Sequence, residues 1–420
     1  MSDGRVLQVN VSSGGVPKLP VERARITSAG VEGDRQREVT VHGGPYRAVS
    51  ILGIEAIRRV ASEGHPIAPG TAGENLTIEG FDVSAQPVGT RLAIGDELVL
   101  ELTAPADPCR TIRHSFSDLR FGRLAIATHP ADSRMYARVV RAGSVHPGDP
   151  IALSPGPEGA GVIAVAWRLD GAERKSSIAF WEAARAAGIG VELLDDGDIA
   201  VAATPSLPGP PFNMALGFAH LPTLVDRALD HFATNGTAGW VVAEDPPWAG
   251  AVADTTFARW AVEADAVPAI PAPEGAAIRE LPRDEIGPWS EVIVTASEMT
   301  PEVGAAWTAL EQHLARSAHH HRFVAEIDGR PVAAGSVHTY RNVGWLRAGS
   351  VLREFRGRGL QQSLIAARAE HARRIGCDLV GASTLTDGAS ARNVERAGFA
   401  RVGTRRSYPT RRGYPTASRA

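Results

Sequence analysis

The segment Ser154-Pro155-Gly156-Pro157-Glu158-Gly159 constrains the fold more than any other stretch of this chain. Proline lacks an amide donor and glycine has no side chain to pack, so neither helix nor strand extends through it. The 420 residues therefore divide near position 157, in keeping with about 150 residues per domain. A softer break at Ala266–Gly275, where proline recurs every two or three residues, favours an extended linker. The breaks predict three segments: 1–155, 160–270 and 276–420.

The first segment reads as short strands punctuated by Gly and Pro, among them Arg5–Val11, Ala48–Leu52, Arg91–Ile94, Glu97–Leu102 and Ala137–Arg141. One helix, Gly53–Ser62, interrupts them, and the pattern predicts a closed, barrel-like β domain. The second segment mixes a helix at Phe180–Ala187, a strand at Ile199–Ala203 and an amphipathic helix at Leu221–Ala233. In the third, Arg322–Ile327 and Pro331–His338 alternate as two strands across Asp328-Gly329. A strand at Gly344–Leu352, a helix at Gly359–Arg374 and a strand at Cys377–Ala382 follow, an α/β arrangement.

A net charge of −3 gives no global attraction to nucleic acid or to an anionic membrane. No apolar run approaches the roughly 20 residues of a membrane span. The amino terminus lacks a secretory layout, and Cys109 and Cys377 are the only cysteines; both suit a reducing cytoplasm. After Glu395 there are seven Arg and no acid. Such a tail can meet phosphates, but a solvated end is the simpler reading, and nucleic acid is not an expected partner. His319-His320-His321 reads as a solvated loop, because consecutive residues cannot all point at one ion.

The sharpest local feature is Val351-Leu352-Arg353-Glu354-Phe355-Arg356-Gly357-Arg358-Gly359-Leu360-Gln361, a strand, a glycine-bearing turn and a helix start. Glycines let backbone amides close on an anion, and the helix adds its positive end. The turn is neither a P-loop nor a dinucleotide fingerprint. Arg356-Gly357-Arg358-Gly359-Leu360 resembles the pyrophosphate-binding signature of the GNAT N-acetyltransferase superfamily, with Gln361 at a position usually small. Ser390-Ala391-Arg392-Asn393-Val394-Glu395-Arg396-Ala397-Gly398-Phe399 resembles that family's closing helix and turn. The resemblance implies acetyl transfer from acetyl-CoA to an amine. Ser350, Val351 and Leu352 would hold the pantetheine arm, the amides of Arg356, Gly357, Arg358, Gly359, Leu360 and Gln361 the pyrophosphate, and Asn393 would lie near the thioester. The closing helix lacks the Tyr that protonates the leaving thiolate in many members, with Tyr408 a distant substitute; Glu298, His338 and Tyr340 are the candidate bases. Residues 160–270 resemble a degenerate GNAT half: Phe212-Asn213-Met214-Ala215-Leu216-Gly217-Phe218 is similar to a substrate-side segment, but no glycine-bearing turn follows it, so no second acetyl-CoA site is expected.

In the first segment three glycine-rich landmarks precede Pro105-Ala106-Asp107-Pro108-Cys109-Arg110: Gly33-Asp34-Arg35-Gln36, His42-Gly43-Gly44-Pro45-Tyr46-Arg47 and Gly70-Thr71-Ala72-Gly73-Glu74-Asn75. Arg110 and Arg113 favour the thiolate of Cys109; a buried cysteine packed as a small hydrophobe is the alternative. Together these landmarks resemble the MOSC domain, named for the carboxy-terminal domain of molybdenum cofactor sulfurases. The nearest type is the small bacterial proteins that reduce N-hydroxylated bases. Tyr46 stands where the family often has Asp. The resemblance implies that Cys109 is catalytic, as a molybdenum ligand or a persulfide carrier, and that His42, Arg47 and Asn75 line a pocket for the molybdenum cofactor. No pyridoxal-phosphate desulfurase domain is fused, so sulfur would come from a donor protein. The expected whole is a cytoplasmic bifunctional enzyme acting on a small-molecule amine or hydroxylamine. The alternative is an acyltransferase carrying a non-catalytic sulfur-carrier or sensor module.

Overall fold

A computed structural model describes residues 3–35, 45–106, 108–126, 128–158, 160–195, 199–207, 209–217 and 224–410. The chain forms two compact units, Met1–Arg168 and Leu169–Ala420.

The first unit holds β1 (Gly4–Val11), β2 (Leu19–Val21), β3 (Ala24–Thr27), β4 (Gly30–Val31), β5 (Val49–Gly53), α1 (Ile54–Ser62) and β6 (Leu76–Glu79). It continues with β7 (Arg91–Ile94), β8 (Leu98–Ala106), β9 (Arg134–Arg141), β10 (Gly143–Val145) and β11 (Pro150–Ser154). The main sheet runs β11-β7-β8-β9-β5-β6-β1-β2, and β11 also pairs with β1. The pairs Gly4↔Ile151 and Arg5↔Pro150 thus close a seven-stranded barrel, as the turn-rich sequence predicts. Among the described strands of this unit only β5 and β6 run parallel, joined through α1, which is why β5 is buried along its whole length. Val49 and Ile51 face the barrel core with Val6, Leu76 and Leu100; Leu52 faces α1, Ile112 and Phe116.

Helix α2 spans Ala160–Ala186, far longer than the predicted Phe180–Ala187. Gly171 and Ser176-Ser177 weaken its helical signal. In the second unit it is held instead by burial, with Leu169 packed against Gly381 and Trp181 buried in a core with Phe212.

The second unit is built on one eleven-stranded sheet. Its elements are β12 (Glu192–Asp195), β13 (Ala200–Ala203), β14 (Met214–Leu216), α3 (Val225–Thr234), β15 (Trp240–Ala243), β16 (Thr255–Glu263), β17 (Ala276–Glu280), α4 (Gly287–Ala296) and α5 (Pro301–Leu314). They are followed by β18 (His320–Ile327), β19 (Arg330–Tyr340), β20 (Val343–Val351), α6 (Leu360–Arg374), β21 (Leu379–Leu385), α7 (Ala389–Arg396) and β22 (Ala400–Pro409). Strand order is β12-β13-β14-β15-β22-β16-β21-β20-β19-β18-β17. The same motif occurs twice: antiparallel strands, a crossing helix, then a parallel partner, as β12-β13-β14-α3-β15 and β18-β19-β20-α6-β21. The segments on either side of the 266–275 linker share this sheet, because β16 lies between β21 and β22, and β22 also pairs with β15.

Candidate active site

Strands β20 and β21 pair only at Val343↔Leu379, Gly344↔Val380 and Trp345↔Gly381. Beyond Trp345 the edge of β20 facing β21 has no strand partner among the described residues. A bulge in β20 opposite Ala334/Ser336, with Ala348 at φ 46°, turns the strand aside there. Arg368 of α6, fully buried, donates to the Ser336 carbonyl (3.2 Å) and the Arg347 carbonyl (3.1 Å) at this bulge. Gly335 makes room for it: a Cβ there would stand 2.8 Å from the Arg368 guanidinium carbon. Burial pushes that guanidinium down to about 10.

Past the opening lies a cavity of about 720 Å³. Ser350, Val351, Arg356, Gly357, Arg358, Gly359, Leu360, Gln361 and Asn393 all line it. Gly357 and Gly359 have φ of 80° and 83°, a region costly for residues with a Cβ, and α6 starts immediately after Gly359 with no side-chain cap. The amides of residues 357–361 therefore find no acceptor among the described residues, leaving the positive end of α6 open. The lining also contains Arg392 and Arg396 but no Asp or Glu, so the cavity suits a polyanion. Leu352 is placed differently: its side chain is in the core beside Trp289, and its amide donates to Val332.

In the first unit Cys109 is half-buried, immediately before a 3₁₀ turn at Arg110–Ser115. Asn75 is a structural hub: its Oδ1 accepts from the Ser50 amide (3.2 Å) and its Nδ2 donates to Asp34 (2.9 Å). Asp34 in turn pairs with Lys18 at 2.5 Å. Arg47 is buried against Trp167, 4.4 Å from its ring centroid, and Tyr46 stacks on the same ring. His42 lies outside the described residues.

The MOSC domain model matches residues 38–152, and the acetyltransferase (GNAT) family model matches residues 289–399. The chain joins a MOSC domain to a GNAT domain. Similar solved structures include a GCN5-related N-acetyltransferase from Kribbella flavida (17% identity, 55% of this chain and 96% of that one, TM-score 0.41). A tandem GNAT protein from the clavulanic acid biosynthesis pathway (19%, 52% and 79%, 0.39) and YiiM from Geobacillus stearothermophilus (22%, 43% and 90%, 0.31) are also similar. At these scores the structures carry no weight in the assignment, which rests on the two domain models. No curated protein matches the chain.

Within the GNAT domain the three candidate bases separate. Glu298 is exposed just past α4, two residues along the chain from Ala296 of the cavity lining. Tyr340 ends β19 at the far hairpin, six residues and so about 20 Å along the strand from Ala334. His338 is buried beside His320, and burial is the main force holding its imidazole down to about 2. Tyr408 is buried against Trp248, on β22 and three strands from β20, or about 14 Å across the sheet. His319-His320-His321 departs from the solvated-loop reading: His320 and His321 begin β18, and His320 is buried 3.2 Å from Glu311.

The depressed value of His338 has a consequence for stability. Below its ordinary value of 6.5 the unfolded chain takes up a proton that the folded chain refuses, so stability falls as the pH is lowered. Between pH 6.5 and 5.5 this histidine accounts for about 1 kcal/mol of lost stability. Urea titrations at the two pH values check this: His338→Gln should shrink the pH-dependent difference by that amount.

Two groups of charged side chains were not anticipated from sequence. Arg392 and Arg396, one helical turn apart on α7, add positive charge to the cavity; their spacing beside Asn393 was the available signal. The second group is a buried network facing α2. Arg405 meets Asp170 and lies 3.1 Å from Glu173, and Arg259 lies 3.8 Å from the same carboxylate. Arg347 donates to the Ser176 carbonyl (2.6 Å) and hydroxyl (3.0 Å). Burial raises Glu173 and lowers Arg347 and Arg405 to about 10.

Proposed function

We propose that this protein is an acetyl-CoA-dependent N-acetyltransferase acting on a small-molecule amine, with a MOSC domain for molybdenum cofactor binding or sulfur transfer. The observation that carries the first half is the cavity in which unpaired amides 357–361 and four arginines adjoin the opening between β20 and β21. The coenzyme's diphosphate would be held by those amides and by the end of α6. Its pantetheine arm would run along the unpaired edge at Gly349–Val351, bringing the thioester to the opening. The amine nitrogen then forms a bond to the acetyl carbon as the C–S bond breaks; the amine proton leaves to a base and the thiolate is protonated on release. Glu298 is the favoured base on position. The test is a screen of small amines and hydroxylamines that follows free CoA release: at least one should give turnover, and none should without acetyl-CoA.

For the MOSC domain, Cys109 is the one thiol among residues 1–168, and a soft sulfur donor suits both molybdenum and a persulfide. Cys109 would hold the metal or the sulfane sulfur, and Arg47 would position an anionic group nearby. The molybdenum cofactor, when bound, supplies the electron pair for reducing an N–O bond. Protein purified from a molybdenum-replete host should carry stoichiometric metal that falls at least about tenfold in Cys109→Ala. Cyanolysable sulfur without metal would favour the sulfur-carrier reading, and neither would defeat both.

A further inference from the structure

Away from the coenzyme cavity, Glu280 at the end of β17, His321 near the start of β18 and His371 in the last turn of α6 converge. One ring nitrogen from each histidine and one carboxylate oxygen all lie within 4.8 Å of one another. Glu280 bridges the rings, 3.0 Å from Nδ1 of His321 and 3.0 Å from Nδ1 of His371. The ring centroids are only 4.2 Å apart. His371 is buried, and neither of its ring nitrogens has a hydrogen bond of good geometry; Nε2 of His321 is buried without one as well. Phe323 stands edge-on to His371 and forms an apolar wall. Two imidazoles crowded together would repel if both were protonated, and burial holds both below their ordinary range, keeping their lone pairs available.

We propose that Glu280, His321 and His371 form a binding site for a divalent transition metal of the zinc type. Two neutral imidazoles and a carboxylate are the three protein ligands of an open tetrahedral site, with water in the fourth position. Glu280 is partly exposed and gives the ion a route in. The ligands come from two strands and a helix, so the ion staples the last turn of α6 to the sheet edge. His371 lies eleven positions along the helix from Leu360, about 17 Å, so the ion does not act at the coenzyme turn. Of the three consecutive histidines, only His321 belongs to the group.

The test is a titration of metal-free full-length protein with CoCl₂ and then ZnCl₂, followed by visible absorption and thermal unfolding. The expected result is one equivalent of cobalt giving an intense tetrahedral spectrum, displaced by zinc, with a higher Tm in the presence of metal. Glu280→Gln, a partly exposed substitution that keeps the fold, should weaken binding by more than about 100-fold, since even outer-sphere partners of a metal are worth 10–100-fold. His371→Ala should lose the equivalent, and His319→Ala should retain it. Binding of equal strength in Glu280→Gln and His371→Ala, or no spectrum from the native protein, overturns the proposal.

Discussion

Replacing Gly357 with aspartate will raise the dissociation constant for acetyl-CoA by about 100-fold, with the far-ultraviolet circular dichroism unchanged. Open space surrounds the Cα of Gly357, so no neighbour is displaced. Its φ of 80° costs a residue with a Cβ only about 1–2 kcal/mol. The larger effect is electrostatic. A carboxylate beside amides 357–361 sits where the diphosphate must, and two such charges about 5 Å apart repel by roughly 3 kcal/mol near a protein surface. The loss should appear chiefly in KM for the coenzyme, with KM for the amine little changed. An affinity within threefold of the native protein would mean that the diphosphate binds elsewhere.

The second large effect concerns stability. Arg405→Met should destabilise the second unit by about 3–5 kcal/mol and lower its Tm by about 10 °C. Arg405 is 1% exposed and is the nearest cation to both Asp170 and Glu173. Removing it takes the paired cation from Asp170 and leaves Glu173 with the more distant Arg259, in a site where burial already disfavours the charge of Glu173. A partner substitution tests the cause: adding Asp170→Leu should recover about half of the loss, because an unpaired buried charge costs more than an absent pair. Equal Tm values for native protein and Arg405→Met would show that the network is solvated.

What could be read from sequence was local. The Asp328-Gly329 hairpin lies between β18 and β19. Arg356–Gln361 lie at one cavity because a glycine turn needs only its own residues to take shape. The barrel followed from strand spacing and turn chemistry. What could not be read depended on distant partners. Asp170, Glu173 and Arg174 look like the solvated face of a helix until Arg259 and Arg405, some 90 and 230 residues later, arrive beside the first two. His321 gained Glu280 and His371 only through the packing of α6 on β17 and β18. Leu352 belonged to the right strand end, but its amide went to Val332 and its side chain to the core.

The central claim is that the open amides of the 357–361 turn, at the start of α6, receive the diphosphate of acetyl-CoA. Calorimetric titration of acetyl-CoA into the full-length protein tests it most directly. The account predicts one site per chain, with an affinity that falls as salt screens the four arginines. No heat of binding at millimolar coenzyme, or binding that Gly357→Asp leaves untouched, would contradict it.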